Sequence, residues 1–456
     1  MPVGERGRRT ALVQGAHAQP AVRDACLLPV ARGDGLAVHR EPYESTQREV
    51  QPTMADKVKL GIVGTGGIAG SHLNGYRKLL DAGYDKFELA ALCDTNEGRR
   101  AEFAAKVKDM FGCQPAQFSS VEEMAAAGVV QAADLCTPHA FHHTTAIPCL
   151  EAGLDVMVEK PCGITIKASD LIMEAAAKTG ALVAVAEQVR RGIKARAMDW
   201  AVNQAKMIGD MRFWSVVGFS SWDFAAENYS GTYMWQWRLL KLASGGGMLF
   251  DAGAHFADMM LHLFGPVDEV FAWTHTYHDI NINLPELEEQ KMDVEDTWMT
   301  TWKFANGIVG QYSWSVAAPG ESVATQIFYG TEGSARDRGG WMHTFQNGGD
   351  LTLADGSTKS YEEIEPEFKA QLDEETRGKL FPCGVEDDIA LECWDFIDSV
   401  LNRRKPEIDA GDTKLAKSIC LAIYESALAG SPVKVQDVFD GKVSAYQDPI
   451  NKYWSI

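Results

Sequence analysis

Val58-Lys59-Leu60-Gly61-Ile62-Val63-Gly64-Thr65-Gly66-Gly67-Ile68-Ala69 is a short apolar strand that turns through glycines into the start of a helix. That order is what a bound pyrophosphate requires. Gly64 makes the tight turn, Gly66 lets backbone approach the phosphates, and the small Ala69 lets the helix pack on the strand. Thr65, Gly67 and Ile68 complete the turn. A glycine turn alone says little, because such turns serve many purposes, but its place between a strand and a helix points to a dinucleotide.

Working outward, Ser71 to Leu80 continues the helix, and Phe87-Glu88-Leu89-Ala90-Ala91-Leu92-Cys93-Asp94 reads as a second buried strand ending in an acid. A carboxylate there accepts hydrogen bonds from the adenosine ribose hydroxyls and repels a 2'-phosphate, which favours NAD over NADP. The interval from Gly66 to Asp94 exceeds the usual ~20 residues, so the first helix and its loop are long. The competing reading of Asp94 is a helix cap before Asn96. Next come a helix from Glu97 to Met110 and a capping box, Ser120-Val121-Glu122-Glu123. Ala132 to Thr137 is a strand stopped by Pro138, followed by a helix through His142 that ends near Gly153. Leu154 to Lys160 and Ala181 to Gln188 are two more strands with a helix between them. Strands alternating with helices imply a doubly wound parallel sheet.

From Gly209 the pattern changes to longer, alternating, aromatic-rich strands: Met211 to Ser220, Val267 to Tyr277, Thr297 to Phe304 and Ile308 to Val316. Asn306-Gly307 signals a hairpin between the last two. The expected class is α/β: an N-terminal Rossmann domain over 54–188, then an α/β domain over 189–456 with a large, mostly antiparallel open sheet. One face of that sheet, carrying Trp298, Trp302, Tyr312 and Trp314, needs a cover from its own helices or from a second subunit. A homo-oligomer, dimer or tetramer, is therefore expected. Amphipathic helices around 391–401 and 413–429 close the chain.

A length of 456 residues suits two domains. The formal charge of -20 argues against a nucleic-acid or anionic-membrane partner, which would need clustered Lys and Arg. Nine cysteines without CxxC pairs fit reduced thiols in the cytoplasm, and no apolar run reaches the ~18 residues of a membrane span. The first 53 residues hold seven Arg, no Lys and no periodicity, and read as a disordered or non-native extension. Arg8-Arg9 resembles a twin-arginine signal, but no apolar core of 7 to 15 residues follows. Met54 is the expected natural start.

Three constellations carry chemistry. Glu159-Lys160-Pro161 ends a sheet strand, where open α/β sheets hold ligands, and a lysine there can hydrogen-bond a substrate oxygen. Asp251 and His255 follow the triple glycine at Gly245 and lie four residues apart, so they share a helical face. A histidine near a carboxylate can take the proton that an alcohol oxidation releases. An N-terminal cap and a satisfied core histidine explain the same two residues. Asp258 and His262 extend that stripe, but His255 and His262 lack a further ligand of fitting spacing, so no metal is expected. Trp222, Tyr229, Tyr233, Trp235 and Trp237, followed by Arg238, offer flat apolar faces with polar edges that suit a sugar ring.

Together these residues resemble the glucose-fructose oxidoreductase / inositol dehydrogenase / MocA family, over essentially everything from Lys57 onward. The likeness rests on the Gly64 to Ala69 turn, Thr137-Pro138 with His142, Ala152-Gly153 before Val156 to Pro161, Trp237-Arg238 ahead of the triple glycine, Asp251, Gly253 and His255, and the segment Ala422 to Ala427. The resemblance implies that Lys160 binds and polarises the reacting hydroxyl, His255 is the general base, and Asp251 orients the substrate or His255. It implies that the glycine turn, Asp94, Thr137, Pro138, His142, Glu159 and Lys160 surround the cofactor. Lys160, Tyr233, Trp237, Arg238, Asp251 and His255 would contact substrate. His139 departs from the family, which often has Asn there. The expected activity is NAD-dependent oxidation of a secondary hydroxyl of a sugar, glycoside or cyclitol, with C3 of a glycoside one candidate position. The alternatives are glycoside cleavage through transient oxidation with NAD recycled, and a non-catalytic NAD-binding regulator.

Overall fold

The computed structural model describes residues 57–224, 236–282, 290–339 and 343–456. Six strands, β1 (Val58–Val63), β2 (Phe87–Cys93), β3 (Ala116–Phe118), β4 (Ala132–Leu135), β5 (Asp155–Glu159) and β6 (Val183–Ala186), form one sheet in the order β3-β2-β1-β4-β5-β6. Every pairing is parallel. β4 and β5 are buried at every residue, as strands covered by helices on both faces must be. The strand order reverses between β1 and β4, and the crevice at their carboxyl ends is where such sheets bind dinucleotides. Gly64 and Lys160 follow directly on β1 and β5, and Thr137 follows β4 after Cys136.

Local chemistry sets the helix starts. Asn96 caps the helix Glu97–Phe111 by accepting from the Arg99 N–H at 3.0 Å, so the capping role belongs to Asn96 and not to Asp94. Ser120 caps Val121–Ala126 in the same way. Strand β3, which the sequence pattern did not separate, is a three-residue edge strand with little burial.

The second sheet contains β7 (Met211–Phe219), β8 (Val267–His275), β11 (Thr297–Phe304), β12 (Val309–Ser315), β13 (Val323–Gly330), β14 (Gly333–Asp337), β15 (Gly349–Leu353), β16 (Thr358–Lys359) and β17 (Val433–Lys434). Their order is β16-β15-β14-β13-β7-β12-β11-β8-β17, and only β7 with β12 is parallel. A separate ribbon pairs β9 (Asn281–Ile282) with β10 (Gln290–Lys291). The hairpin at Asn306-Gly307 joins β11 to β12 as its sequence indicates, with the Asn306 side chain accepting from the Ile308 N–H.

The tryptophan-rich face of this sheet is covered by the chain itself. Trp298, Trp302, Tyr312 and Trp314 are buried, and Phe256 from the helix Gly253–Phe264 packs on Tyr312 and Trp302 with ring centres 4.2 and 5.5 Å apart. The long helix Ala410–Ala429 joins the same core through Ile419, Cys420 and Ile423. Truncating a fully buried Phe such as Phe256 to Ala costs about 3–5 kcal/mol, so this packing fixes the helix that carries His255. The opposite face exposes Phe213, Trp273, Met299, Val309 and Val323. After Val385 the chain returns to the parallel sheet. The helix Asp388–Asn402 places Ala390, Cys393, Phe396 and Ile397 in one core with Leu60, Ile62, Leu73 and Tyr76. Among the described residues no helix is long and apolar enough to cross a membrane.

Candidate active site

At the glycine turn, Gly64 has φ +83 and a Cβ there would lie 2.8 Å from the Cys136 carbonyl oxygen, so only glycine fits. A Cβ on Gly66 would instead project into open space. The helix Gly67–Asp81 begins with no side-chain cap and no acid in its first turn, leaving its first N–H groups for an anion. Asp94 is tied to this turn: its carboxylate accepts from the Thr65 N–H and hydroxyl, both at 2.8 Å, and from the Asn96 N–H at 2.8 Å. Two carboxylate oxygens offer about four lone-pair sites, so capacity for a ribose hydroxyl remains. Just after β4, the buried Thr137 hydroxyl has no hydrogen-bond partner among the described residues. These features fit a dinucleotide.

His142 and Glu159 serve the wall of this crevice. The His142 ring nitrogens lie 2.9 Å from the Pro161 carbonyl and 2.8 Å from the Thr137 carbonyl. Burial, then His139, pushes its pKa down to about 4, so the ring is neutral and donates to one carbonyl at a time. Glu159 accepts from the Lys160 N–H at 3.0 Å and contacts His72 Nε2 at 3.0 Å. His72 holds Asp134 on its other nitrogen at 2.9 Å. Burial opposes the charge on His72, but Asp134 and its neighbours more than offset it and hold the pKa well above the ordinary value. A buried imidazolium thus connects the nucleotide helix to the backbone of Lys160.

Lys160 reaches from the sheet rim to the second half of the site. Its Nζ donates to Asp251 Oδ1 at 2.6 Å and to the Asp251 carbonyl at 3.0 Å. Arg238 Nε donates to Asp251 Oδ2 at 2.7 Å, and His139 Nε2 lies 3.4 Å from Oδ1. Burial would raise the Asp251 pKa, but Lys160, Arg238 and His139 hold it well below the usual carboxylate range. Asp251 sits at the end of the short helix Met248–Asp251, whose start is fixed by Glu295 accepting from the Gly247 and Leu249 N–H groups at 3.0 and 2.9 Å.

His255 takes a different partner from the one its spacing suggests. Its Nδ1 lies 2.7 Å from both oxygens of Glu187, just after β6, while Asp251 is engaged by Lys160 and Arg238. Burial, then the Lys160 cation, pushes the His255 pKa down to about 3 against Asp251 and Glu159, so the resting ring is neutral. The proton sits on Nδ1 facing the carboxylate, and Nε2 keeps a lone pair with no partner among the described residues. Such a pair can take a proton while a carboxylate stabilises the imidazolium that forms. Glu187 escaped notice because it lies 68 positions from His255; an acid closing a buried strand was the available signal.

The remaining candidates divide. Trp237 is buried, with His139 against its ring edge at 4.7 Å and the Arg238 guanidinium 4.3 Å over it, so it supports the cluster instead of presenting a free face. Trp222 packs on Phe224 and Trp314. Tyr229, Tyr233 and Trp235 lie outside the described residues. Asp258 pairs with Arg190 at 3.0 Å and His262 with Asp199 at 3.4 Å, so His255 and His262 do not share a ligand set.

Residues 58–187 match the family described as "Oxidoreductase family, NAD-binding Rossmann fold", and 201–336 match the GFO/IDH/MocA C-terminal domain. The chain belongs to the GFO/IDH/MocA oxidoreductase family. Among curated relatives, levoglucosan dehydrogenase of Pseudarthrobacter phenanthrenivorans is 30% identical over 45% of this chain and 54% of its own length. D-glucoside 3-dehydrogenase of Escherichia coli is 23% identical over 65% of this chain and 81% of its own. The chain spans about half the length of the first of these relatives. Levoglucosan dehydrogenase solved with NADH and levoglucosan superposes with TM-score 0.66 at 22% identity, covering 83% of this chain and 99% of that one. The WlbA dehydrogenase of Bordetella pertussis, solved with NADH and UDP-GlcNAcA, gives 0.65 at 24%, covering 84% and 99%. For this family member, those structures establish the fold.

Proposed function

We propose that this GFO/IDH/MocA protein is an NAD-dependent dehydrogenase acting on a secondary hydroxyl of a sugar, glycoside or cyclitol. The observation that carries the reading is the convergence of Lys160, fixed by Asp251, with His255, fixed by Glu187. When bound, the nicotinamide supplies the hydride acceptor. The chain's own residues do the rest. Lys160 Nζ donates to the reacting hydroxyl oxygen and stabilises negative charge as it develops, while Asp251 and Arg238 keep the ammonium in place. His255 Nε2 takes the hydroxyl proton, and Glu187 stabilises the resulting imidazolium. Gly64, Thr65, Gly66, Gly67, Ile68, Ala69, Asp94, Thr137 and Pro138 form the cofactor cradle, with His142 and Glu159 as its supports. Asp94 favours NAD over NADP through its charge. Tyr233 and Arg238 are the proposed substrate contacts, with Trp237 packed under the Arg238 guanidinium as its support. In this reading 54–188 hold the dinucleotide, and 189–456 supply substrate contacts and assembly.

The relatives support the substrate class: one is named for levoglucosan, another for the third position of a glucoside. The outer face of the second sheet, where Trp273 is 63% and Met299 50% exposed, supports a homo-oligomer formed through that face. A Trp273→Glu variant should sediment as a smaller species than the wild type; an unchanged mass would reject that interface. The described cysteines are all free, in keeping with a cytoplasmic protein.

The function is tested by following NADH formation across inositols, aldoses and glycosides. Turnover lost in Lys160→Ala with NAD binding intact supports the dehydrogenase. Free sugar released without net NADH would replace it with NAD-recycling cleavage, and NAD binding with no turnover of any polyol would leave a regulator.

A further inference from the structure

Beside the His255 ring stands a second histidine that the reaction above does not use. His343 lies in the connection from β14 to β15, and its ring meets that of His255 edge to face, with centres 4.9 Å apart and planes at 87°. Its Nδ1 is 3.0 Å from Gln346 Oε1. The orientation of that amide is settled by its other end: Gln346 Nε2 donates to Asp388 Oδ2 at 3.1 Å, so the amide oxygen must face the histidine. His343 therefore donates from Nδ1, and Nε2 carries a lone pair. Among the described residues no protein group partners that nitrogen. Burial, then His255 and Lys160, pushes the His343 pKa down to about 4, which keeps the ring neutral and Nε2 an acceptor.

The segment that presents His343 is built for rigidity. Thr344 and Phe345 are fully buried, and the Thr344 hydroxyl donates to Gln326 Oε1 at 2.5 Å. Phe345 adopts φ +60 without being glycine, and the Gly348 N–H closes the turn onto its carbonyl at 2.9 Å. Non-glycine residues held in the left-handed region persist only where surrounding structure over-determines them, and they cluster at ligand sites. Two imidazoles are thus held side by side, each with its proton anchored on Nδ1 by a protein oxygen and each offering a bare Nε2. One acceptor suffices to take the proton of the reacting hydroxyl. The second calls for a second donor from the same substrate.

We propose that His343 is a substrate-contacting residue whose Nε2 accepts a hydrogen bond from the hydroxyl adjacent to the one oxidised, so that the site selects vicinal diols. This rests on the dehydrogenase reading and adds a requirement to it. It is tested with a polyol that the wild type oxidises, paired with its analogue deoxygenated at the neighbouring carbon, against wild type, His343→Ala and His343→Gln. His343→Ala should raise KM for the diol about tenfold while kcat stays within a few-fold. The wild type should show a similar KM rise with the deoxy analogue, and His343→Ala should show no further rise with it. His343→Gln, which keeps a carbonyl acceptor, should recover part of the loss. NAD binding should be equal in all three. Equal losses on diol and deoxy analogue, or a diol KM unchanged in His343→Ala, would overturn the proposal while wild-type turnover leaves the dehydrogenase standing. If His343→Ala does not fold, an unimpaired deoxy analogue in the wild type, or His343→Gln no better with the diol than with the analogue, overturns it. No turnover of any polyol by the wild type would overturn both readings.

Discussion

Replacing Glu187 by Gln keeps the shape of the side chain and removes both its negative charge and its ability to accept at both oxygens. Glu187 is 1% exposed and has two neighbours that dictate how an amide must lie. The Val189 N–H points at Oε1 from 3.2 Å, and His255 Nδ1 is 2.7 Å from both oxygens. A backbone N–H can only donate, so the glutamine oxygen turns to Val189 and its NH2 turns to His255. Nδ1 must then accept, and the imidazole proton moves to Nε2. The nitrogen that should receive the substrate proton becomes a donor. General-base catalysis contributes about 10²–10⁴ in rate, so kcat should fall by that factor, equivalent to roughly 3–5 kcal/mol of barrier.

The assay is NADH absorbance at saturating NAD and polyol, with NAD affinity measured separately by fluorescence quenching. The variant should bind NAD like the wild type, because Glu187 does not touch the glycine turn. Glu187→Asp, which retains an acceptor, should lie between the two. A Glu187→Gln enzyme within fivefold of wild-type kcat, with the same pH profile, would refute the idea that Glu187 sets the His255 tautomer.

The glycine turn gives a contrast between two neighbours. Gly66→Val should leave the melting temperature unchanged and abolish NAD binding, since its side chain enters open space, whereas Gly64→Ala should lower both through the contact with Cys136; equal behaviour in calorimetry and titration would reject the cradle. Asp94→Ala should shift the ratio of NAD to NADP affinity toward NADP by about tenfold, measured by competitive titration. His72→Gln removes a buried cation from between Asp134 and Glu159 and should cost about 3–5 kcal/mol in urea unfolding. The folded pKa of His72 is raised, so its stabilisation is complete below the unfolded value of about 6.5 and is lost as pH climbs through the folded value. Wild-type stability should therefore fall on that alkaline side, and the variant should show a shallower slope there.

Residues whose chemistry is local were legible in the chain. The Val58 to Ala69 run, the acid closing β2 and the Asn306-Gly307 hairpin each state their geometry within a few positions, because turn sterics and strand alternation are short-range. The four strands from Val323 to Lys359 were not recognised. They are mixed in burial, all but β13 are short, and they take their identity from pairing onto β7 and onto one another. The partner of His255 was missed for a related reason. Spacing on one helix suggests Asp251, whose carboxylate meets the stronger pull of two cations, Lys160 and Arg238, brought from other segments.

In the proposed mechanism, that competition explains the use of two carboxylates. If Asp251 served both Lys160 and His255, its charge would be shared between an ammonium that must stay protonated and an imidazole that must start neutral. Separating them lets Lys160 keep its counter-charge on Asp251 while Glu187 is the carboxylate that holds His255. The two acids also reside in opposite environments: Asp251 is held well below the usual range by adjacent cations, and Glu187 is raised by burial. Glu187 accepts the Val189 N–H at 3.2 Å and faces a neutral His255 ring, so its attraction to that ring strengthens when the ring becomes charged. In the proposed mechanism the pair is therefore more strongly bound after proton transfer than before it, the differential stabilisation that lowers a barrier.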